Sequence, residues 1–223
     1  MQAVFETIFD IVYLTTVITL GIKMIRSCNG IKQFKLYGIM AVTLGCGDAF
    51  HLIPRAYALC TTGLAAHAAS LGIGKLITSI TMTAFYVLLY YVLRERYHIE
   101  GKKNLTIAVW ALAAARVILC LFPQNEWTSI NPPLSWGIYR NIPFLILGIL
   151  IIVLAYKYAA EHHDTAFKYL WLTIVLSFGF YIPVVLFADA IPLMGTLMIP
   201  KTCAYVWTVY IGYSAMKKGS LVK

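Results

Sequence analysis

Seven times along this chain an apolar run long enough to cross a lipid bilayer gives way to a short polar connection, at about 4–22, 36–58, 76–93, 105–122, 138–156, 167–188 and 193–216. A helix needs roughly 20 apolar residues to traverse a hydrocarbon layer of about 30 Å. Inside lipid the backbone must satisfy its own hydrogen bonds, which leaves helices and closed barrels. The runs predict an all-α integral membrane protein whose residues 1–223 form a single seven-helix transmembrane domain. Composition agrees, since 61% of the residues are hydrophobic and only 12% charged, whereas soluble domains carry about 25% charge. No repeat, linker or low-complexity stretch divides the chain, and these values exclude disorder and a disulfide-stapled miniprotein.

Orientation follows from lysine and arginine, because positively charged connections stay in the cytoplasm. With seven spans, thirteen of the eighteen basic residues fall on one side, in the 1–2, 3–4 and 5–6 connections and the C-terminal tail. The alternate connections, Ala56–Ser70 and Pro123–Gly137, carry almost no net charge. The N-terminus is therefore expected outside and the C-terminus in the cytoplasm, most simply at the plasma membrane. The net charge of +9 is then a signature of topology, and no nucleic-acid partner is expected. The five cysteines are scattered without a CxxC pair, and no disulfide is expected. Glu161-His162-His163-Asp164 has a metal-like composition, but its histidines are adjacent and lie in a cytoplasmic connection, so no metal is assigned.

The residues that topology does not absorb are the charges of the outer half: Arg55, Lys75, Arg116, Arg140 and Lys201, with Glu6, Asp10, Asp48, Glu126 and Asp189. A lone charge at the bilayer centre costs at least about 2.5–3.5 kcal/mol, so such groups face the interior, pair or meet water. At a rise of about 1.5 Å per residue, Asp48 and Arg116 come to roughly 17–18 Å from the cytoplasmic edge, with Asp10 and Lys201 at a similar level. Within the helices, Asp48, His51 and Arg55 share one face, as do Glu6, Asp10 and Tyr13, and as do Lys201, Tyr205 and Thr208. Arg140 and Asn141 open the fifth span. Equal numbers of acids and bases predict pairing, with Asp48 against Arg116 or Lys201. All eight prolines lie in the outer half or its connections, where Pro54, Pro143, Pro183 and Pro200 are expected to splay the helices around a polar hollow. Trp127, Trp136 and Tyr139 read as an interfacial aromatic belt.

Such a layer suits chemistry on an anion. Asp48 and His51, one turn apart, can serve as base and proton relay. Arg55, Arg116, Arg140, Asn141, Lys201, Tyr205 and Asp10 line up as the binding groups, the cations gripping a phosphate or carboxylate. No GxSxG, GxGxxG or Walker motif occurs, so neither serine nucleophile chemistry nor a nucleotide cofactor is expected, and no other cofactor is assigned. Lys201 occupies the place of a retinal Schiff base, but the third span offers no carboxylate counter-ion.

The run Gly47-Asp48-Ala49-Phe50-His51-Leu52-Ile53-Pro54-Arg55 resembles the Gly-Asp-x-x-Leu-type motif of the YhhN/TMEM86 family, integral membrane lysoplasmalogenases. That family also has a late functional aspartate, to which Asp189 in Phe187-Ala188-Asp189 would correspond, although alanine stands where the family commonly has serine. The resemblance implies hydrolysis of a vinyl-ether lysophospholipid to an aldehyde and a glycerophospho headgroup, with Asp48 and Asp189 as the catalytic carboxylates. The same hollow equally suits a transporter or receptor for a small anionic ligand. Partners are thus a lipid or a small anion.

Overall fold

The computed structural model describes residues 2–188 and 190–222. Among them seven α-helices follow one another: α1 (Gln2–Arg26), α2 (Lys32–Cys60), α3 (Ala68–Arg96), α4 (Lys103–Leu121), α5 (Leu134–Glu161), α6 (Leu170–Phe187) and α7 (Met198–Lys217). The first six are long and apolar enough to cross a membrane. The seventh, of 20 residues, has the length but carries Lys201 and Lys217. Each helix packs on its neighbours in sequence, and α7 returns to α1, so the bundle closes into a ring. Within it, α3 also reaches α5 and α2 reaches α7.

Several helices overrun their apolar segments. The connection expected at 56–70 shrinks to 61–67, which includes a 3₁₀ turn at Ala65–His67. A hydropathy window ends where polar residues begin, whereas the helical hydrogen-bond ladder continues for as long as long side chains can reach polar surroundings. Prolines interrupt three helices, at Pro54, Pro143 and Pro183. Pro200 falls in the first turn of α7, where an amide donor would have no helical partner anyway.

One end of the bundle gathers the 1–2, 3–4 and 5–6 connections with the C-terminal tail; it is called the basic end below. Most of the buried residues of α2 and α3 lie toward it, between Gln33 and Gly47 and between Met82 and Arg96. Lipid provides no hydrophobic drive between helices, so close packing and interhelical hydrogen bonds must hold them. The Tyr37 hydroxyl donates to the Thr208 carbonyl at 2.7 Å, and the Thr208 hydroxyl donates to Thr173 Oγ1 at 2.8 Å. These bonds tie α2, α7 and α6.

Two residues that the sequence places among exposed cytoplasmic charges are in fact buried together. Arg96, in the last turn of α3, has a side chain 0% exposed and is ion-paired with Asp164 in the α5–α6 connection. Its Nε donates to Asp164 Oδ2, its Nη2 donates to Asp164 Oδ1 at 2.8 Å, and its Nη1 donates to the Ser220 carbonyl at 3.0 Å. The Phe167 ring lies 4.0 Å below the guanidinium carbon. Gly219 has φ of +61°, a left-handed turn open to glycine, and Ser220 follows it into this contact. Asp164 also accepts from the Tyr97 hydroxyl at 2.9 Å and from the Ala166 amide at 3.0 Å. Burial by itself would push the Asp164 carboxyl up. The hydrogen bonds and charge of Arg96, with Tyr97 and the Phe167 amide, outweigh it and hold the group below the usual carboxylate range. Asp164 is thus committed to a structural clasp, and among the described residues no three His, Cys, Asp or Glu side chains come together to hold a metal.

Candidate functional site

At the opposite end the ring opens into a cavity of about 380 Å³. Eight of the ten residues singled out from the sequence line it: Asp10 from α1, His51 and Arg55 from α2, Arg116 from α4, Arg140 and Asn141 from α5, Lys201 and Tyr205 from α7. Each is brought there by the rule that polar side chains on a lipid-embedded helix turn inward.

Asp48 departs from the expectation. It does not line the cavity; its carboxylate accepts a hydrogen bond from the buried Tyr13 hydroxyl at 2.6 Å. It is near enough to Lys201 to feel its charge, yet the two are not ion-paired, and Asp48 does not meet Arg116. One turn further out on the same face His51 reaches the cavity, and its buried Nδ1 has no hydrogen-bond partner among the described residues. Asp189 lies outside the described residues.

Among the described residues the expected pairing of acids with bases is met at one place and not at three others. The polar faces of α1 and α2 do pair, with Arg55 Nη2 3.0 Å from Glu6 Oε2. Glu126 is exposed, at a left-handed turn with φ of +47°, and is not part of the cavity wall. Among the described residues no carboxylate is ion-paired with Arg116, Arg140 or Lys201. Aromatic faces take that place. Arg116 is 3% exposed, and its guanidinium carbon sits 3.2 Å from the centre of the Phe144 ring. Its Nε and Nη1 have no hydrogen-bond partner among the described residues. Arg140 lies over Trp127 at 4.3 Å, and the Lys201 ammonium lies 4.9 Å from the Tyr181 ring and 5.3 Å from that of Tyr205. The quadrupole of an aromatic ring stabilises a cation by about 2 kcal/mol or more when desolvated. It occupies the face and leaves the in-plane N–H groups of an arginine available to an acceptor.

Sequence reasoning missed the groups that hold these cations. Asn125 is fully buried in the α4–α5 connection; its Oδ1 accepts from Arg140 Nη1 at 2.8 Å, while its Nδ2 donates to the Leu119 carbonyl at 2.7 Å. Trp127, read from the sequence as part of an interfacial belt, donates from its indole to the Cys120 carbonyl at 2.8 Å and forms cavity wall. Tyr181 donates to Asn141 Oδ1 at 3.3 Å. The periodicity of an isolated loop or an apolar helix gives no signal for any of these. One sequence signal does exist, a glycine. A Cβ at Gly72 on α3 would come within 1.3 Å of the Trp127 carbonyl oxygen, so the 122–133 connection sits against α3 only because that position has no side chain. Replacing Gly72 with alanine is expected to displace this connection and destabilise the protein by about 1–3 kcal/mol or more, as overpacking does. Thermal unfolding in detergent checks it, and a melting temperature unchanged from wild type would refute the contact.

Comparison of the chain with protein-family models, curated proteins and solved structures finds no match.

Proposed function

We propose that the chain is a seven-span plasma-membrane protein, N-terminus outside and C-terminus cytoplasmic, whose outer-half cavity binds the anionic head of a single-chain phospholipid. The observation that carries this reading is Arg116: a nearly inaccessible guanidinium, held on an aromatic ring, with two donors unpartnered and no carboxylate paired to it among the described residues. Buried charges are ordinarily compensated, and a cation left with open donors at a cavity wall lacks an acceptor that a phosphate oxygen supplies. Apolar side chains such as Phe9, Leu52, Val184 and Val185 share the same wall and suit the start of an alkyl chain. The concentration of Lys and Arg at the basic end supports the orientation.

Hydrolysis of the bound lipid is a second reading, favoured by one feature, the unpartnered Nδ1 of His51 in the cavity wall. Cleavage of a vinyl-ether lysophospholipid protonates the alkenyl carbon and adds water to the carbon bearing oxygen; the hemiacetal then collapses to aldehyde and glycerophospho headgroup. His51 is the group placed to move these protons: as imidazolium it gives one to the alkenyl carbon, and as imidazole it takes one back from the adding water. Asp48, bonded to Tyr13 behind the wall, fits a supporting role better than direct attack.

The test uses protein in nanodiscs with alkenyl, alkyl and acyl lysophospholipids. Saturable binding of all three, shared with no uncharged monoglyceride, is the expected result. Aldehyde release from the alkenyl lipid alone, abolished in His51→Gln, assigns the hydrolase. Indifference to phosphate refutes the site.

A further inference from the structure

We infer, resting on the anion-binding reading above, that the bound anion carries a free hydroxyl close to its phosphate, as a glycerol backbone does, and that Asn141 on α5 is the residue that reads it. Asn141 is half-buried in the cavity wall. Its Nδ2 donates to the Gly137 carbonyl, one turn back on the same helix, at 2.8 Å. A carbonyl can only accept, so this bond fixes which way round the amide stands. The nitrogen lies against its own helix, and the oxygen turns to Tyr181 of α6, which lines the same cavity.

That oxygen has acceptor capacity to spare. An amide oxygen carries two lone pairs. The Tyr181 hydroxyl offers it one hydrogen, at 3.3 Å, longer than the roughly 2.7–2.8 Å usual between a hydroxyl and an oxygen acceptor. The surroundings of Asn141 say where on the ligand the complementary donor lies. Arg140 precedes it on α5, and the Lys201 ammonium is 4.9 Å from the centre of the Tyr181 ring. An acceptor placed beside these cations repels the oxygens of an anion and is satisfied only by a hydrogen. The complementary ligand therefore has anionic oxygens for the cations and an O–H a few bonds from the phosphorus for Asn141. The carboxylates of the lining stand elsewhere: Glu6 and Asp10 both come from α1, and Glu6 accepts from Arg55 at 3.0 Å. A simple alkyl phosphate has no such O–H. A glycerol phosphate with a single chain on carbon 1 has one on carbon 2, and a second acyl chain removes it.

A phosphate with a neighbouring hydroxyl can be the head of a lysolipid or a soluble polyol phosphate, and the experiment separates the two. Binding to wild-type protein in nanodiscs is measured for lysophosphatidate, whose only hydroxyl is on carbon 2, and for its 2-deoxy and 2-O-methyl analogues, with glycerol 3-phosphate as the tail-free probe. Lysophosphatidate is expected to bind about fivefold or more tightly than either analogue, the worth of one net hydrogen bond. In Asn141→Leu this preference is expected to vanish while the 2-deoxy analogue binds as it does to wild type, a pattern that a merely structural role would not produce. Tyr181→Phe keeps the ring beside Lys201, removes the competing hydroxyl and should preserve or widen the preference. Its collapse in Tyr181→Phe would give the hydroxyl to the tyrosine, and loss of every ligand in Asn141→Leu would make the amide structural; either result overturns the role of Asn141. Much weaker binding of glycerol 3-phosphate supports a lipid, whereas affinity equal to that of lysophosphatidate overturns the lipid and makes the ligand soluble. Equal affinity of the wild-type protein for all three lipids overturns the hydroxyl and leaves the anion site intact. Failure of every phosphate-bearing probe overturns both.

Discussion

Arg116→Met is expected to remove ligand binding while leaving the melting temperature unchanged or raising it. The two effects have separate physical origins. Arg116 is buried over the Phe144 ring and, among the described residues, not ion-paired. Burying an ion costs several kcal/mol even after relaxation, and the aromatic face returns only about 2 kcal/mol or somewhat more. Methionine fills similar space, keeps the contact with the ring through its sulfur and carries no such penalty. Binding behaves oppositely. Hydrogen bonds involving a charged group contribute about 1.5–3 kcal/mol each, so losing the Nε and Nη1 donors should weaken affinity by more than about a hundredfold.

Arg116→Lys adds the discriminating comparison. It retains the charge but replaces the planar donor set with a compact ammonium, and should recover only part of the affinity. Thermal unfolding and ligand titration on the same nanodisc preparations test all three proteins. A sharp fall in melting temperature for Arg116→Met would mean that the guanidinium is a structural cation, and the anion site would lose its central residue.

How much of this was legible in the sequence differs from residue to residue. The i, i+3, i+4 spacing of Asp10, His51, Arg55, Lys201 and Tyr205 placed them on inward faces because lipid penalises any other rotation. Arg116 followed from depth alone, and Arg140 from its place at the start of the fifth span. Partnership was not legible. Equal numbers of acids and bases suggested ion pairs, but pairing depends on a few ångströms of depth and on which rotamers the neighbours allow. Asp48 found Tyr13, while Arg116 and Arg140 found Phe144 and Trp127. The Asn125 and Trp127 contacts come from a connection whose position is set by a missing side chain at Gly72, a tertiary fact with no periodic signature. At the basic end the error ran the other way. Arg96 and Asp164, 68 positions apart, look like ordinary topology charges because the positive-inside pattern explains any basic residue near a helix end.

That buried pair supplies the opposite mutational phenotype. Asp164→Asn is expected to lower stability by about 3–5 kcal/mol, the cost of leaving one partner of a buried ion pair uncompensated. The amide would also present a donor toward Arg96 Nε and Nη2, and Tyr97 would lose a charged acceptor. Replacing both members, as in Arg96→Met with Asp164→Leu, removes the stranded charge and should destabilise less than the single change. The pH dependence has a definite sign. Because the folded state holds the Asp164 carboxyl below its ordinary value of about 3.9, its contribution is fully present above that value and is lost as pH falls through the lower, folded one. Wild-type protein should therefore lose this increment only in acid, below about pH 4, whereas Asp164→Asn should lack that limb of the profile. The clasp joins α3, the α5–α6 connection and Ser220, at the end of the bundle away from the cavity. Below its melting temperature Asp164→Asn should accordingly bind the anion with wild-type affinity, the reverse of Arg116→Met. A variant at Asp164 that lost affinity while still folded would show that the two ends of the bundle are coupled, and the separation of a packed basic end from the proposed anion site at the cavity end would have to be abandoned.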